Sequence, residues 1–210
     1  MLRWIIALLL SAGVARAEGE PAGAFDYYVL ALSWSPGWCA AEGDARRAEV
    51  CEPGAARGFV LHGLWPQYET GWPSYCRTGA RDPSRRQTAA MVDIMGSDGL
   101  AWHQWKKHGR CSGLSAAAYF EHARAAFAAI ERPDVLRAIP RPLAVAPAVV
   151  EAAILEANPD LVADGVTVTC RDGRLREVRI CLTRDLAPRV CGADVRRDCG
   201  ADTVEVLPLR

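Results

Sequence analysis

Cysteine count constrains this chain more than any other feature. Cys39, Cys51, Cys76, Cys111, Cys170, Cys181, Cys191 and Cys199 make an even set of eight, with no C-x-x-C pair among them. The simplest reading is four disulfides closed in an oxidising compartment. A zinc site is the competing reading, but the usual ligand spacing is missing. Spacing alone does not choose among the roughly 105 pairings that eight cysteines allow.

The N-terminus agrees with an oxidising destination. Arg3 is a small positive region, Trp4 to Val14 is an apolar run too short to span a bilayer, and Ala15-Arg16-Ala17 is an A-x-A cleavage site. Residues 1–17 are therefore expected to be a signal peptide and residues 18–210 one domain, with no membrane attachment after removal of the signal. No longer apolar run follows that would favour an uncleaved anchor. The domain is large enough for a real core. The full chain has a formal net charge of zero, and residues 18–210, without Arg3 and Arg16, carry −2, which argues against wrapping nucleic acid through a broad basic face. A local grip on one phosphate stays open.

The chain shows no internal repeat and no long linker. Residues 18–25 read as a mobile lead-in. Tyr27 to Trp34 alternates loosely and suits a strand ended by Ser35-Pro36-Gly37. Gly58 to Leu64 reads as a second strand, before an ordered loop over 66–82. Asp82-Pro83 is a cap and first-turn proline for a helix reaching about Met95. Helices are expected over 100–109, from Ser115 to Ile130 and from Pro147 to Ala157. Val166 to Cys170 and Leu175 to Leu182 alternate around Asp172-Gly173, a strong hairpin signal. Thr203 to Leu207 adds a last strand. Strands at both ends with helices between them predict an α+β fold: a mainly antiparallel central sheet with packed helices, in a single disulfide-stabilised domain.

Two segments carry the chemistry. The first is Phe59-Val-Leu-His62-Gly-Leu-Trp65-Pro66, and the second is Trp102-His103-Gln104-Trp105-Lys106-Lys107-His108-Gly109-Arg110-Cys111. They hold three of the four histidines and both lysines, in a chain with 23 arginines. Lysine is a compact charge with a tunable pKa, for which arginine is no equivalent. As a helix, at about 100° per residue, the second segment places His103, Gln104, Lys107 and His108 within an arc of about 140°. Trp105 falls outside the arc and is free to anchor the helix. The spacing is not that of a zincin helix, and the segment has no carboxylate to complete a metal site.

Several histidines, a lysine and no metal suit phosphodiester transfer in RNA. Imidazole can take the proton from a 2′-hydroxyl and give one to the departing 5′-oxygen. Cationic groups stabilise charge on the non-bridging oxygens. Taken singly, His62 reads as a satisfied core histidine, and His103 and His108 as helix packing. Their combination with such specific neighbours outweighs that. His122, in the alanine-rich helix, reads as a surface or packing residue.

These residues resemble the ribonuclease T(2) family of secreted endoribonucleases. The first segment is similar to the family's F-x-L-H-G-L-W-P motif and the second to H-E-W-x-K-H-G-T-C. Tyr27 to Cys39 resembles the family's first strand and following loop, and the likeness runs over roughly residues 25–200. The resemblance implies His62 as general acid, then base in a second step. It implies His108 as general base, His103 as phosphate ligand and Lys107 as transition-state stabiliser. It further implies a 2′,3′-cyclic phosphate hydrolysed to a 3′-phosphate, single-stranded RNA as substrate, no metal or other cofactor, no cleavage of DNA, and a monomer in the periplasm or outside the cell. Trp65 matches a base-binding position, Gln67 falls where some members use aspartate, and Tyr68 and Trp72 are further base-site candidates. The implied disulfides are Cys39–Cys51, Cys76–Cys111, Cys170–Cys199 and Cys181–Cys191.

Two positions depart from the pattern. Gln104 stands where glutamate is usual and Arg110 where threonine is usual. Glutamine hydrogen-bonds but carries no charge. Gln104 is expected in the catalytic set, holding a phosphate oxygen or orienting His108, with a shifted pH profile or slower turnover as the consequence. A weakly active RNA-binding or signalling protein of the same fold is the second reading, and a metal-dependent phosphoesterase the third.

Overall fold

The segment Tyr27–Trp34 is apolar at nearly every position, so neither face suits water, and such a run becomes a strand buried on both sides. The computed structural model describes residues 19–197 and 199–210. Its elements run β1 (Tyr27–Trp34), α1 (Ser35–Trp38), β2 (Phe59–Gln67), α2 (Arg85–Ala89), α3 (Val92–Met95), α4 (Asp98–Lys107), α5 (Ala116–Ala128), α6 (Asp134–Arg137), β3 (Leu143–Val145), α7 (Pro147–Ala157), β4 (Val166–Arg171), β5 (Arg174–Leu182) and β6 (Val204–Val206). The expected signal peptide lies outside the described residues.

The strand order is β2-β1-β5-β6-β3, with β4 also paired to β5. The long pairings are antiparallel, and a parallel pairing joins Arg174 of β5 to Glu205 of β6. The β4–β5 hairpin turns through Asp172 and Gly173, both at positive φ (51° and 73°), the geometry that Asp-Gly favours. The α+β expectation therefore holds.

One face of β1, β2 and β5 builds the main core from Leu30, Leu32, Trp34, Leu61, Leu64, Val178 and Ile180, against Trp105 of α4 and Tyr119 and Phe120 of α5. Each such large apolar side chain contributes roughly 1.5–3 kcal/mol relative to exposure. Tyr119 also donates its hydroxyl to Leu64 O at 2.9 Å, fixing β2 from behind.

Three local expectations change. Asp82 does not cap a helix. Its Oδ1 accepts from Trp105 Nε1 (2.8 Å) and Arg110 Nη2 (2.6 Å), and Ser84 closes a capping box with Gln87 instead. The expected single helix is also broken at Ala90-Met91 into α2 and α3. Within the lead-in, the described residues from 19 onward are tied down: Gly23 N–H donates to Cys111 O and Arg77 N–H to Glu20 O.

All four disulfides close as the resemblance implied. A cluster of Cys39, Cys51 and Asp44 brings three ligand-type atoms together, but both sulfurs are in a disulfide and Asp44 pairs with Arg210.

Candidate active site

His62 sits at a β-bulge. Ala31 pairs with Gly63 and Leu32 with Leu61, so His62 is the extra residue on β2. A bulge re-aims a side chain at the rim of a sheet. His62 is half-buried, and its Nδ1 lies 2.5 Å from Glu177 Oε1 on β5. Glu177 is 1% exposed. Its Oε2 accepts from Arg179 Nη2 (3.1 Å) and Nε (3.2 Å). Burial works to raise the Glu177 pKa, but the His62 hydrogen bond and charge, with Arg179 and Arg176, outweigh it and hold the carboxyl at about 2.

The second segment forms α4. Ser97 caps it by accepting from Leu100 N–H, and Lys106 and Lys107 fall in its last turn, where cations favour the helix dipole. The helix stops at Lys107. His108 is the C-cap, with its N–H on Gln104 O at 2.9 Å. His103 is exposed and Lys107 half-buried, whereas His108 is buried and its Nδ1 has no partner among the described residues. Burial, then the charges of Lys107, His62 and His103, push the His108 pKa down to about 3. His103 is lowered by desolvation first and then by Lys107 and His62.

Trp65 joins the two halves. Its ring stacks with His108 (5.2 Å, 27°) and meets His62 edge-on (5.2 Å, 80°). The Arg179 guanidinium lies over it at 5.4 Å, and its Nε1 donates to Gln104 Oε1 at 2.7 Å. Trp65, expected as a base-binding residue, is half-buried and lies between the two histidines. Gln104 is 2% exposed and spends its carbonyl on Trp65. Its carbonyl oxygen therefore holds the indole that stacks with His108. Arg110, the other departure, is taken up by Asp82.

A cleft of about 900 Å³ opens beside His62, His103 and Glu177 and runs past Trp38, Arg47 and Arg176. Gln67, Tyr68 and Trp72 do not line this cleft. Gln67 is 5% exposed, Tyr68 packs partly against the core, and Trp72 is 56% exposed. Sequence reasoning missed Glu177, Arg179 and Tyr75. Tyr75 is 53% exposed and donates its N–H to Lys107 O at 2.8 Å. A positive φ of 51° at this aromatic residue marks it as unusual, but only in the structure. His122 packs on Tyr28 and bonds Arg184 O, as expected of a packing residue.

Fold and site together define a disulfide-bonded α+β protein with histidines from a sheet and a helix gathered on one cleft. Residues 25–191 match the model of the Ribonuclease T2 family, and the chain belongs to that family. It is 46% identical over 115 residues to a ribonuclease of Aeromonas hydrophila, covering 55% of this chain and 50% of the relative. The chain spans about half the length of the curated relatives it matches. Its fold is similar to that of an RNase-related protein from Calystegia sepium, with TM-score 0.67, 20% identity, and coverage of 87% of this chain and 97% of the other. It is also similar to RNase NT in complex with 5′-AMP, with TM-score 0.65, 24% identity, and coverage of 89% and 99%. Among the described residues, no helix is long and apolar enough to cross a membrane.

Proposed function

We propose that the protein is a metal-independent endoribonuclease acting on single-stranded RNA outside the cytoplasm, as a monomer, after loss of residues 1–17. The observation that carries this reading is the contrast between two histidines on one indole. His62 bonds an ionised carboxylate, while His108 is buried among cations and stays neutral far below the ordinary histidine range. Titratable pairs with opposed environments are how a site keeps an acid and a base ready at one pH.

In the first step His108 takes the 2′-hydroxyl proton, the 2′-oxygen attacks phosphorus, and the P–O5′ bond breaks as His62 protonates the leaving 5′-oxygen. His103 and Lys107 stabilise charge on the non-bridging oxygens. The product is a 2′,3′-cyclic phosphate. In the second step His62 deprotonates water and His108 returns its proton to the 2′-oxygen, leaving a 3′-phosphate. DNA lacks the nucleophile and is not cut. The exposed Trp72 and Tyr75, on the loop after His62, support a stacking site for a base.

The test is RNA cleavage by the oxidised protein in EDTA, followed by ³¹P NMR. Cyclic phosphate from RNA with DNA intact is expected. Absence of cleavage across pH 4–8 would mean a binding protein, and activity restored only by metal would overturn the mechanism.

A further inference from the structure

We propose that Glu177 is a positioning residue of this site, which orients His62 and supplies the fixed negative charge that Gln104 does not. The inference rests on the reading of His62 as the acid. A carboxylate in the middle of a central strand is costly to bury unless its oxygens are paired. Both Glu177 oxygens are paired, Oε1 with His62 and Oε2 with the two Arg179 donors. The guanidinium fixes the plane of the carboxylate and lies over Trp65, which stacks with His108. Glu177 therefore connects to both histidines, to one directly and to the other through Arg179 and the indole.

The bulge explains why His62 needs such a partner. As the extra residue between two paired positions, His62 is not held in direction by cross-strand register. With Nδ1 on Glu177, the atom left for proton exchange is Nε2. Position 104 cannot do this work. Gln104 is uncharged, and its carbonyl is spent on Trp65.

The charged groups around His62 set the sign of the effect. Glu177 of β5, His103 of α4 and His108 at the cap of α4 act on it directly, Arg179 and Arg176 act on Glu177, Lys107 acts on the other two histidines, and Arg176 lines the same cleft. With Glu177 neutral, the remaining field is cationic, and a protonated His62 is harder to keep. Glu177→Gln retains the shape and loses the charge. Its kcat should fall at least roughly 10–100-fold, the loss seen when a metal-bound histidine is deprived of its outer hydrogen-bond partner. The alkaline limb of its pH profile should move to lower pH. Glu177→Asp should restore the position of that limb. With a p-nitrophenyl ester of a nucleoside 3′-phosphate, whose leaving group needs no acid, the Glu177→Gln deficit should largely vanish.

Nitrogen-15 NMR of the histidines reads the pairing without substrate. Neutral His62 in the native protein should carry its proton on Nδ1, bonded to the Glu177 carboxylate, and that proton's resonance should move upfield in Glu177→Gln, where the acceptor has lost its charge. An unchanged His62 tautomer and Nδ1 proton resonance in a folded Glu177→Gln protein would overturn the positioning role. A native enzyme silent on RNA and on the activated ester, with the NMR response intact, would overturn the functional reading instead.

Discussion

The indole N–H of Trp65 donates to the side-chain oxygen of Gln104, at 2.7 Å, across 39 residues of sequence. An uncharged side chain therefore stands next to the ring that stacks with His108. Gln104→Glu keeps the acceptor and adds a buried negative charge. A nearby anion favours protonated His108, and a base must be neutral to act, so the acid limb of kcat/KM should move to higher pH. An identical profile in the variant would show that the charge at this position does not reach His108. Gln104→Ala instead leaves the Trp65 donor unpaired, at a cost of about 1–3 kcal/mol in stability.

The native protein should keep its activity well into acid. His108 titrates at about 3 in the fold against an ordinary value of 6.5. Since kcat/KM reports the free enzyme, its acid limb should lie below about pH 5. The same shift bears on stability. A folded-state pKa lowered from 6.5 gives His108 a stabilising contribution that is complete above pH 6.5 and is lost as pH falls toward 3. Urea midpoints at pH 7 and pH 4.5 should therefore differ less in His108→Gln than in the native protein. Equal differences would mean that His108 protonates freely in the fold.

Gly63 lies beneath the Trp65–Gln104 contact. A Cβ there would collide with Gln104 Oε1 and Trp65 Nε1, so any side chain breaks the bond that holds the indole. Gly63→Ala should lower kcat about tenfold and shift the tryptophan fluorescence, with a stability loss of about 1–3 kcal/mol from the unmade bond. Normal kinetics would mean that Trp65 can move without consequence.

Cys76–Cys111 ties the loop after the first motif to the turn after α4, over 35 residues. The Tyr75 N–H bond to Lys107 O runs beside it. Replacing both cysteines by serine should cost roughly 3–4 kcal/mol in denaturant unfolding by the chain-entropy model. It should also lower kcat at temperatures where the fold persists, because the bridge sets where Lys107 and His108 stand. A loss of stability with unchanged kcat would make the bridge a staple only.

How much of this site was legible in sequence depended on how far apart its partners lie. β1 and the Asp172-Gly173 hairpin follow from local pattern, because the causes are apolar runs and turn chemistry within a few residues. The four motif residues His62, His103, Lys107 and His108 follow from their neighbours. The His62–Glu177 pair spans 115 residues, and a glutamate in an alternating strand signals nothing without its partner. Asp82 misled for the same reason: it has the chemistry of a cap, but Trp105 and Arg110 claim it through tertiary contact. The wheel of the second segment also failed at its end, since His108 leaves the helix.

The loop carrying Trp72 is pinned from below, and this should set substrate binding. Gly71 N–H donates to Asp194 Oδ2 at 2.7 Å, Glu69 N–H to Asp26 Oδ2 at 2.9 Å, and Arg189 to the Glu69 carboxylate at 2.8 Å. Gly71 turns at φ +79°, which favours glycine, and the exposed Trp72 follows it directly. If Trp72 stacks on a base, it contributes about 1–3 kcal/mol to binding and acts equally on bound substrate and transition state. Trp72→Ala should therefore raise KM for a dinucleotide roughly tenfold with kcat little changed. Asp194→Ala frees the loop without touching the indole, so it should raise KM less and in the same manner. The double variant should bind no worse than Trp72→Ala alone, because the anchor works only through the ring it holds. Additive losses in KM, or a fall in kcat from Asp194→Ala, would separate the anchor from the base site.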